Sequence, residues 1–198
     1  MKISKKKLLQ RLGHNFSRGS ITDAVNRRID DALLAAQKLI KPVHIIRADK
    51  IISNTGDAVL LSSGYEIHST HISSLLKNCH TAYGFAVTIA KALEEKRDVC
   101  HTENDTVNAL IFDAIGSVAV EEYAHTVQQQ IKQIASAHHQ RITRRFSPGY
   151  GDWHLENQKS FLDWLEAEKI HIHVSSAHIM FPEKSISAIL GVTDGNKN

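Results

Sequence analysis

The longest uninterrupted helical pattern in this sequence runs from Asp105 to Ala137 and contains no proline. Its apolar residues recur three and four positions apart, which is typical of a helix with one face buried against a core. We expect that face to comprise Leu110, Ile111, Ala114, Ile115, Val118, Tyr123, Val127, Ile131 and Ile134. Gly116 is the one weak position, because a helical glycine costs about 1 kcal/mol relative to alanine. The sequence therefore predicts one long helix, which any fold assigned to this chain has to accommodate.

Helical and strand patterns alternate irregularly on both sides of this helix. Residues 22–41 carry apolar side chains at helical spacing after possible caps at Ser20, Thr22 and Asp23, and Pro42 ends the run. Other helices are predicted at 73–78, 90–98 and 157–168, and strands at 43–46, 58–61, 65–72, 81–89, near 174 and at 186–192. Since no regular strand–helix–strand repeat is present, we predict an α+β fold with a mixed, largely antiparallel sheet.

Length and charge limit the class of protein. A chain of 198 residues can bury one good core, so we expect a single domain over 1–198, with a basic segment at 1–20 and a polar, frayed tail at 193–198. A net charge of +3 without a groove-reading motif argues against nucleic-acid binding. No apolar run is long enough to span a membrane, and none follows the basic start as in a signal peptide. These features favour a cytoplasmic protein.

The 13 histidines raise the question of a metal site. His171 and His173 stand two apart in an alternating run, which predicts that both lie on the wetter face of a strand. No acidic or cysteine partner occurs at the spacing of a zinc site. Cys79 and Cys100 also lack such spacing and are expected to be free thiols. We therefore predict no metal site, and no pair of side chains suggests a nucleophile or a catalytic dyad.

The segment Arg145 to Asp152 reads Arg-Phe-Ser-Pro-Gly-Tyr-Gly-Asp and combines several conformational constraints. Pro148 fixes its own φ and favours an extended Ser147, while Gly149 and Gly151 can adopt angles closed to other residues. The planar guanidinium of Arg145 suits a carboxylate, and Tyr150 has an apolar ring with a polar tip. These properties fit a ligand-binding loop and, equally, a tight turn between two helices.

The same segment resembles the Arg-x-x-x-Gly-Tyr loop of the activation (reactivation) domain of cobalamin-dependent methionine synthase, and especially small free-standing proteins of that superfamily. Leu155 and Gln158 follow the loop at the positions expected in those small proteins. A second block, residues 180–188, reads Met-Phe-Pro-Glu-Lys-Ser-Ile-Ser-Ala and resembles the family's Met-x-Pro-x-x-Ser-Val-Ser/Thr-Gly/Ala pattern at the start of a strand. The two blocks occur in the family's order, and the resemblance covers roughly residues 70–192. It implies the activation-domain fold.

The resemblance also implies a set of residues that bind S-adenosylmethionine. Arg145 would pair with the ligand's carboxylate, or alternatively form only a surface salt bridge. Ser147, Pro148, Gly149 and Tyr150 would shape the pocket, with main-chain groups at the adenine edge and the tyrosine beside the ligand. A tyrosine packed in the core is the alternative for Tyr150. Asp152 is expected to cap a helix that begins near residues 153–157.

Two acidic positions of the family pattern are missing from this chain. His139 occupies the place six residues before the arginine, and Val118 occupies the place on the long helix. Glu121 and Glu122 follow Val118 by three and four residues. Helical spacing puts Glu122 on the face of Val118, so we expect Glu122 to act as a partial substitute. Without it, the ligand's sulfonium would have no evident carboxylate partner.

The function implied by the resemblance is reactivation of an oxidised corrinoid protein. The chain would present S-adenosylmethionine to cobalamin held by a partner, such as a methionine synthase lacking its own activation domain, with a separate electron-donor protein. One-electron reduction and methylation would then together restore methylcobalamin. Because the chain would act by positioning its ligand, no general acid or base is required. The alternative is a module that binds a corrinoid protein without S-adenosylmethionine, and a third possibility is an unrelated scaffold with a fortuitous turn.

Overall fold

The computed structural model describes residues 3–14 and 21–195. The helices in this part of the chain are α1 (Lys5–Arg11), α2 (Asp23–Leu39), α3 (Thr70–Leu75), α4 (Ala92–Thr102), α5 (Thr106–Ala137), α6 (Asn157–Leu165) and a 3-10 turn at Ala167–Ile170. The strands are β1 (Val43–Asn54), β2 (Ala58–Leu61), β3 (Glu66–His68), β4 (Thr81–Thr88), β5 (Gln140–Ile142), β6 (His173–Val174), β7 (Met180–Phe181) and β8 (Ser185–Asp194).

Six of the strands form one antiparallel sheet in the order β3-β2-β1-β4-β8-β5. Strand β4 lies inside the sheet, with Thr81 opposite Lys50 of β1 on one side and Val192 of β8 on the other. Strands β6 and β7 form a separate antiparallel hairpin. The α+β prediction, with a largely antiparallel sheet and one long helix, is confirmed.

Helices cover both faces of this sheet. Successive side chains of a strand point to opposite faces, so each buried strand contributes to two core clusters. Phe85 and Val87 of β4 belong to the cluster formed with α2 and α5. Ala82 and Ala86 belong to the cluster on the other face, where Trp153 and α6 pack. Strands β4 and β8 are buried on both sides, and they read as nearly continuous apolar sequence.

Helix α5 matches its predicted range, and Asp105 caps it by accepting a hydrogen bond from the backbone N–H of Asn108 at 3.2 Å. Two members of the predicted buried face are wrong: Leu110 is 60% exposed and Ile134 is 48% exposed. Each directly precedes a buried residue, Ile111 or Ala135, and neighbouring helical positions point about 100° apart. Gly116 gives room to the Lys184 side chain, whose Cγ would lie 3.0 Å from an added Cβ.

The other differences between the predicted and the observed elements are confined to short segments. The run expected to be extended at 65–72 forms only the three-residue β3, and α3 already begins at Thr70. His171 is not in a strand: it ends the 3-10 turn with a left-handed φ of 61°, whereas His173 begins β6, and both are exposed. At the C-terminus, Thr193 and Asp194 pair with β5 instead of fraying, and residues 196–198 lie outside the described part. Within the basic segment 1–20, α1 forms an unpredicted helix.

Asp152 caps a different helix from the one predicted. Its Oδ1 accepts hydrogen bonds from the Ser69 hydroxyl (2.5 Å) and the His71 N–H (3.3 Å), and its Oδ2 accepts from the Thr70 N–H (2.7 Å) and hydroxyl (2.6 Å). These donors lie at the start of α3, while α6 begins without a side-chain cap. The donors, led by the Ser69 and Thr70 hydroxyls, hold the pKa of Asp152 well below its usual range. Asp152 thus ties the loop to α3.

No helix within residues 3–14 and 21–195 is both long enough and apolar enough to cross a membrane. Cys79 and Cys100 are both free thiols, as expected.

Gly84 marks the closest approach between the sheet and α6, and this gives a first test of the fold. A Cβ at this position would overlap the Trp164 ring and lie 2.8 Å from the Leu165 side chain. We expect Gly84→Ala to lower the free energy of unfolding by about 1–3 kcal/mol, because overpacking a tight core costs this much. Urea unfolding measures the change, with the exposed Ser53→Ala on β1 as control. An unchanged midpoint for Gly84→Ala would contradict this packing.

The Asp152 cap predicts a pH-dependent stability difference. Because the folded pKa lies below the unfolded value, the carboxylate stabilises the protein above about pH 4 and loses this effect as pH falls through the folded pKa. Asp152→Asn should therefore lower Tm by about 2–4 °C at neutral pH, with a difference that shrinks in acid. Thermal scans at several pH values, with the exposed Asp31→Asn as control, test this. A constant difference at every pH would refute the role of the charge.

Candidate functional site

The loop after β5 is fastened along the edge of the sheet. Phe146 and Ile189 of β8 exchange two backbone hydrogen bonds of 2.8 Å, and the Thr143 N–H donates to the Gly191 carbonyl at 2.9 Å. Residues 143–146 therefore continue the antiparallel pairing beyond β5. This attachment fixes the direction in which Arg145 leaves the sheet.

A tight bend follows at Pro148 and Gly149. Gly149 has a φ of 92°, which favours glycine, and its N–H donates to the Trp153 carbonyl at 2.7 Å. The Trp153 side chain is fully buried in the core beneath the loop. Gly151 also has a positive φ, and a Cβ there would overlap the ring of His71. The two glycines thus allow a compact bend anchored by one buried tryptophan.

Three polar side chains join the bend to β8 and α6. The Ser147 hydroxyl donates to the Ser187 carbonyl at 2.6 Å. The Gln158 amide donates to the Ser187 hydroxyl at 2.8 Å, and Gln158 is almost fully buried. Buried polar groups hold a fixed geometry when they are satisfied in this way. Ser147 and Gln158 therefore position the loop.

A hollow of about 440 Å³ lies between this loop, α5 and the start of β8. A volume of this size is within the range of sites for small ligands. Its lining is mixed, with charged side chains at one end and apolar ones along the walls: Glu121, Arg144, Arg145, Phe146, Ser147, Pro148, Tyr150, Leu155, Gln158, Met180, Ser185, Ile186 and Ser187.

Arg145 and Glu121 form an ion pair at this hollow. Arg145 Nη2 lies 2.6 Å from Glu121 Oε2, and the arginine side chain is 27% exposed. The second terminal nitrogen, Arg145 Nη1, is buried and has no hydrogen-bond partner among the described residues. Buried donors are nearly always satisfied, so Nη1 is an exception whose N–H groups have no acceptor. A guanidinium can donate hydrogen bonds to a carboxylate.

Tyr150 and Leu155 form the exposed rim of the hollow. Tyr150 is 67% exposed and Leu155 is 41% exposed, so the alternative of a tyrosine packed in the core is wrong. The Tyr150 ring stands edge-on to Phe146, with centroids 6.4 Å apart. An aromatic face is therefore available beside the cavity to a flat ligand.

The structure brings Arg145, Ser147, Pro148 and Tyr150 to one hollow, whereas Gly149 forms the bend behind it. The prediction for Glu122 requires correction. Glu122 Oε2 accepts a hydrogen bond from the Ser4 N–H (3.2 Å) and Oε1 lies 3.4 Å from Lys7 Nζ, so this carboxylate faces α1. Glu121, one residue earlier and thus about 100° around the helix, lies at the hollow instead.

The two substituted positions of the family pattern lie away from this carboxylate. Val118 is buried in the core, and His139 ends α5 in a left-handed conformation, with its carbonyl accepting from the Gly195 N–H at 3.0 Å. Neither residue lines the hollow. Glu121 could have been found from its spacing of three residues after Val118, but Glu122 satisfies helical spacing equally well. Only the packing of α1 against α5 shows that Glu121, and not Glu122, lies at the hollow.

Within the described ranges, no group of three or more histidine, cysteine, aspartate or glutamate side chains is placed to hold a metal ion.

No protein-family model and no curated protein sequence matches this chain. Among solved structures, the crystal structure of the MetH reactivation domain bound to AdoHcy is similar, with a TM-score of 0.75 and 14% sequence identity. The similarity covers 99% of this chain and 75% of that chain. At this identity the comparison establishes the architecture. The chain thus has the fold of the MetH reactivation domain.

Proposed function

We propose that this protein binds S-adenosylmethionine in the hollow beside Arg145 and supports the reductive methylation of an oxidised corrinoid on a partner protein. The observation that carries this proposal is the guanidinium of Arg145, which pairs with Glu121 at 2.6 Å while its buried Nη1 has no acceptor. The similar MetH domain, which has AdoHcy bound, supports the same ligand class.

The charges at the hollow match those of the ligand. S-adenosylmethionine carries one carboxylate and two cations, an ammonium and a sulfonium. In the proposed complex the carboxylate pairs with Arg145, and Glu121 exchanges its arginine partner for the ligand's sulfonium. The Arg145 side chain is 27% exposed and keeps an acceptor in this arrangement, while the Glu121 side chain is 59% exposed and is also accessible to solvent. Glu121 thus supplies the carboxylate that the substituted positions at Val118 and His139 lack.

The remaining walls suit the adenosine moiety. Pro148, Tyr150 and Ile186 offer apolar surface. In this proposal the loop's main-chain groups contact the base edge. Ser147 contributes by holding the loop, since its hydroxyl is already donated to Ser187. The chain's contribution is orientation of the methyl group and exclusion of water, and no side chain is assigned as acid or base.

The partner in this proposal is a corrinoid-binding protein, such as a methionine synthase without its own activation domain, together with an electron donor. Cobalamin held by that partner supplies the cobalt chemistry when bound, and methyl transfer draws the unfavourable reduction forward. The exposed rim of Tyr150 and Leu155 would face this partner. Because Arg145 already has a carboxylate partner in Glu121, the pair also supports the second candidate, a corrinoid-binding module without S-adenosylmethionine.

Calorimetry with S-adenosylmethionine separates the two candidates. We expect saturable one-to-one binding by the wild-type protein and about ten- to a hundredfold weaker binding by Arg145→Ala, because a shielded charge-assisted fork contributes about 1.5–3 kcal/mol. Arg141→Ala, which removes an exposed arginine of β5, is the matched control and should bind like the wild type. Absence of binding by the wild type would leave only the second candidate.

Substitution of Glu121 tests which end of the ligand this carboxylate contacts. S-adenosylhomocysteine lacks the sulfonium charge, so Glu121→Gln should weaken S-adenosylmethionine about three- to tenfold more than S-adenosylhomocysteine. The adjacent Glu122→Gln, whose carboxylate faces α1, should leave the ratio of the two affinities unchanged. An unchanged ratio in Glu121→Gln, or a changed ratio in Glu122→Gln, would contradict the assignment.

The reactivation role requires a separate assay. With a corrinoid protein, a reductant and S-adenosylmethionine, the wild-type chain should convert the absorption spectrum of the oxidised cobalt form to that of methylcobalamin, and Arg145→Ala should do so more slowly. A spectrum that does not change although S-adenosylmethionine binds would reject the reactivation role and keep the ligand assignment.

A further inference from the structure

Arg144, the residue before Arg145, is a second cation at the hollow beside the loop. The charged side chains that line this hollow are Glu121, Arg144 and Arg145, so two positive charges stand against one negative charge. The lining therefore carries one excess positive charge before any ligand enters.

The excess charge belongs to Arg144, because Glu121 pairs with Arg145 at 2.6 Å. Within residues 3–14 and 21–195, the Arg144 guanidinium has neither an ion-pair partner nor a hydrogen-bond partner. It lies over the Phe146 ring instead, with its central carbon 5.9 Å from the ring centroid. The side chain is exposed, so solvent screens its charge, but no carboxylate of the described chain neutralises it.

The carboxylates that are close to the hollow in sequence face other parts of the molecule. Glu122 contacts the Ser4 N–H and Lys7 at α1. Asp152 accepts hydrogen bonds from the residues that begin α3. Neither of these carboxylates lines the hollow. Among the described residues, Glu121 is thus the one carboxylate in the lining.

The support under Arg144 is itself held in place. The main chain of Phe146 exchanges two hydrogen bonds of 2.8 Å with Ile189. Its ring contacts the rings of Tyr150 and His71, with centroid distances of 6.4 Å and 6.2 Å. Because the guanidinium rests on this ring, the free charge stays at the wall of the hollow.

The hollow is small compared with the distance over which charges act. A volume of about 440 Å³ corresponds to a width of about 9 Å, and the Debye length is about 10 Å at 0.1 M salt. A ligand that fills the hollow therefore lies within the field of Arg144. Two ligands of the same shape that differ by one charge will feel that field differently.

We infer that Arg144 is a specificity residue, which lowers the affinity of this hollow for S-adenosylmethionine relative to S-adenosylhomocysteine. The inference rests on the proposed function. The two ligands share a carboxylate and an ammonium, but one has a sulfonium where the other has an uncharged thioether. The free charge of Arg144 repels the sulfonium and has no such effect on the thioether. Glu121 acts in the opposite direction, so two side chains of opposite charge set the selectivity.

A consequence for the reaction follows from this selectivity. S-adenosylhomocysteine is what remains after the methyl group has been transferred. A residue that favours it makes the hollow sensitive to inhibition by the spent ligand. A reaction that consumes S-adenosylhomocysteine would therefore free the hollow for the next methylated ligand.

Calorimetry of both ligands with Arg144→Gln tests the inference, and the readout is the Kd for S-adenosylmethionine divided by the Kd for S-adenosylhomocysteine. We expect this ratio to fall about two- to fivefold at low salt, because an exposed charge is partly screened. The change should shrink as the salt concentration rises. Arg144→Lys keeps the charge and should keep the wild-type ratio. Arg141→Gln, which removes an arginine outside the hollow, should also keep it.

Glu121→Gln tests the sign of the effect, since it should raise the ratio that Arg144→Gln lowers. Thermal unfolding confirms that each variant folds. An unchanged ratio in Arg144→Gln, an equal change in Arg144→Lys, or a change that salt does not affect would overturn the inference and leave the ligand assignment standing. Absence of binding of both ligands by the wild type would reject the proposed function, and this inference with it.

Discussion

The antiparallel pairing of β8 is the interaction on which the rest of the candidate site depends. This strand pairs with β4 from Ser185 to Val192 and with β5 at its C-terminal end. Its Ile189 also holds Phe146, and its Ser187 holds Ser147 and Gln158. A strand buried on both faces cannot slip by one residue without exposing its core side chains, so its register is fixed. The loop that is hydrogen-bonded to this strand is therefore held in a fixed position, which places Arg145 against α5.

The ion pair between Arg145 and Glu121 gives this site a particular electrostatic character. The pair joins a partly buried arginine to an exposed carboxylate, since their side chains are 27% and 59% exposed. An ion pair of this kind contributes about 0–1 kcal/mol. A simple carboxylate would have to compete with Glu121 for the guanidinium. A zwitterion offers a partner to each member of the pair, and this favours ligands that carry both charges.

The sequence predicted those features that depend on local pattern. Helix α5, the central strands and the bend at Pro148–Gly149 follow from spacing, propensity and backbone restriction. Contacts between distant segments could not be predicted in the same way. Asp152 caps α3, more than eighty residues earlier in the chain, although its position before α6 favoured a local cap. Local hydrogen bonding and tertiary hydrogen bonding compete for such a side chain, and only the packed fold decides between them.

The sequence could not distinguish Glu121 from Glu122 for the same reason, because a contact with a distant segment decides between them. Both follow Val118 at spacings that place two residues near each other on a helix. Helix α1, which the sequence analysis did not predict, contacts Glu122 through the Ser4 N–H and Lys7. The central claim is that Arg145 and Glu121 together receive the carboxylate and the sulfonium of one small ligand. A crystal structure of this protein with S-adenosylmethionine tests it most directly. The account predicts the ligand carboxylate within about 3 Å of the Arg145 guanidinium, with Glu121 turned to the ligand sulfonium. An intact Arg145–Glu121 pair with the ligand bound elsewhere would contradict it.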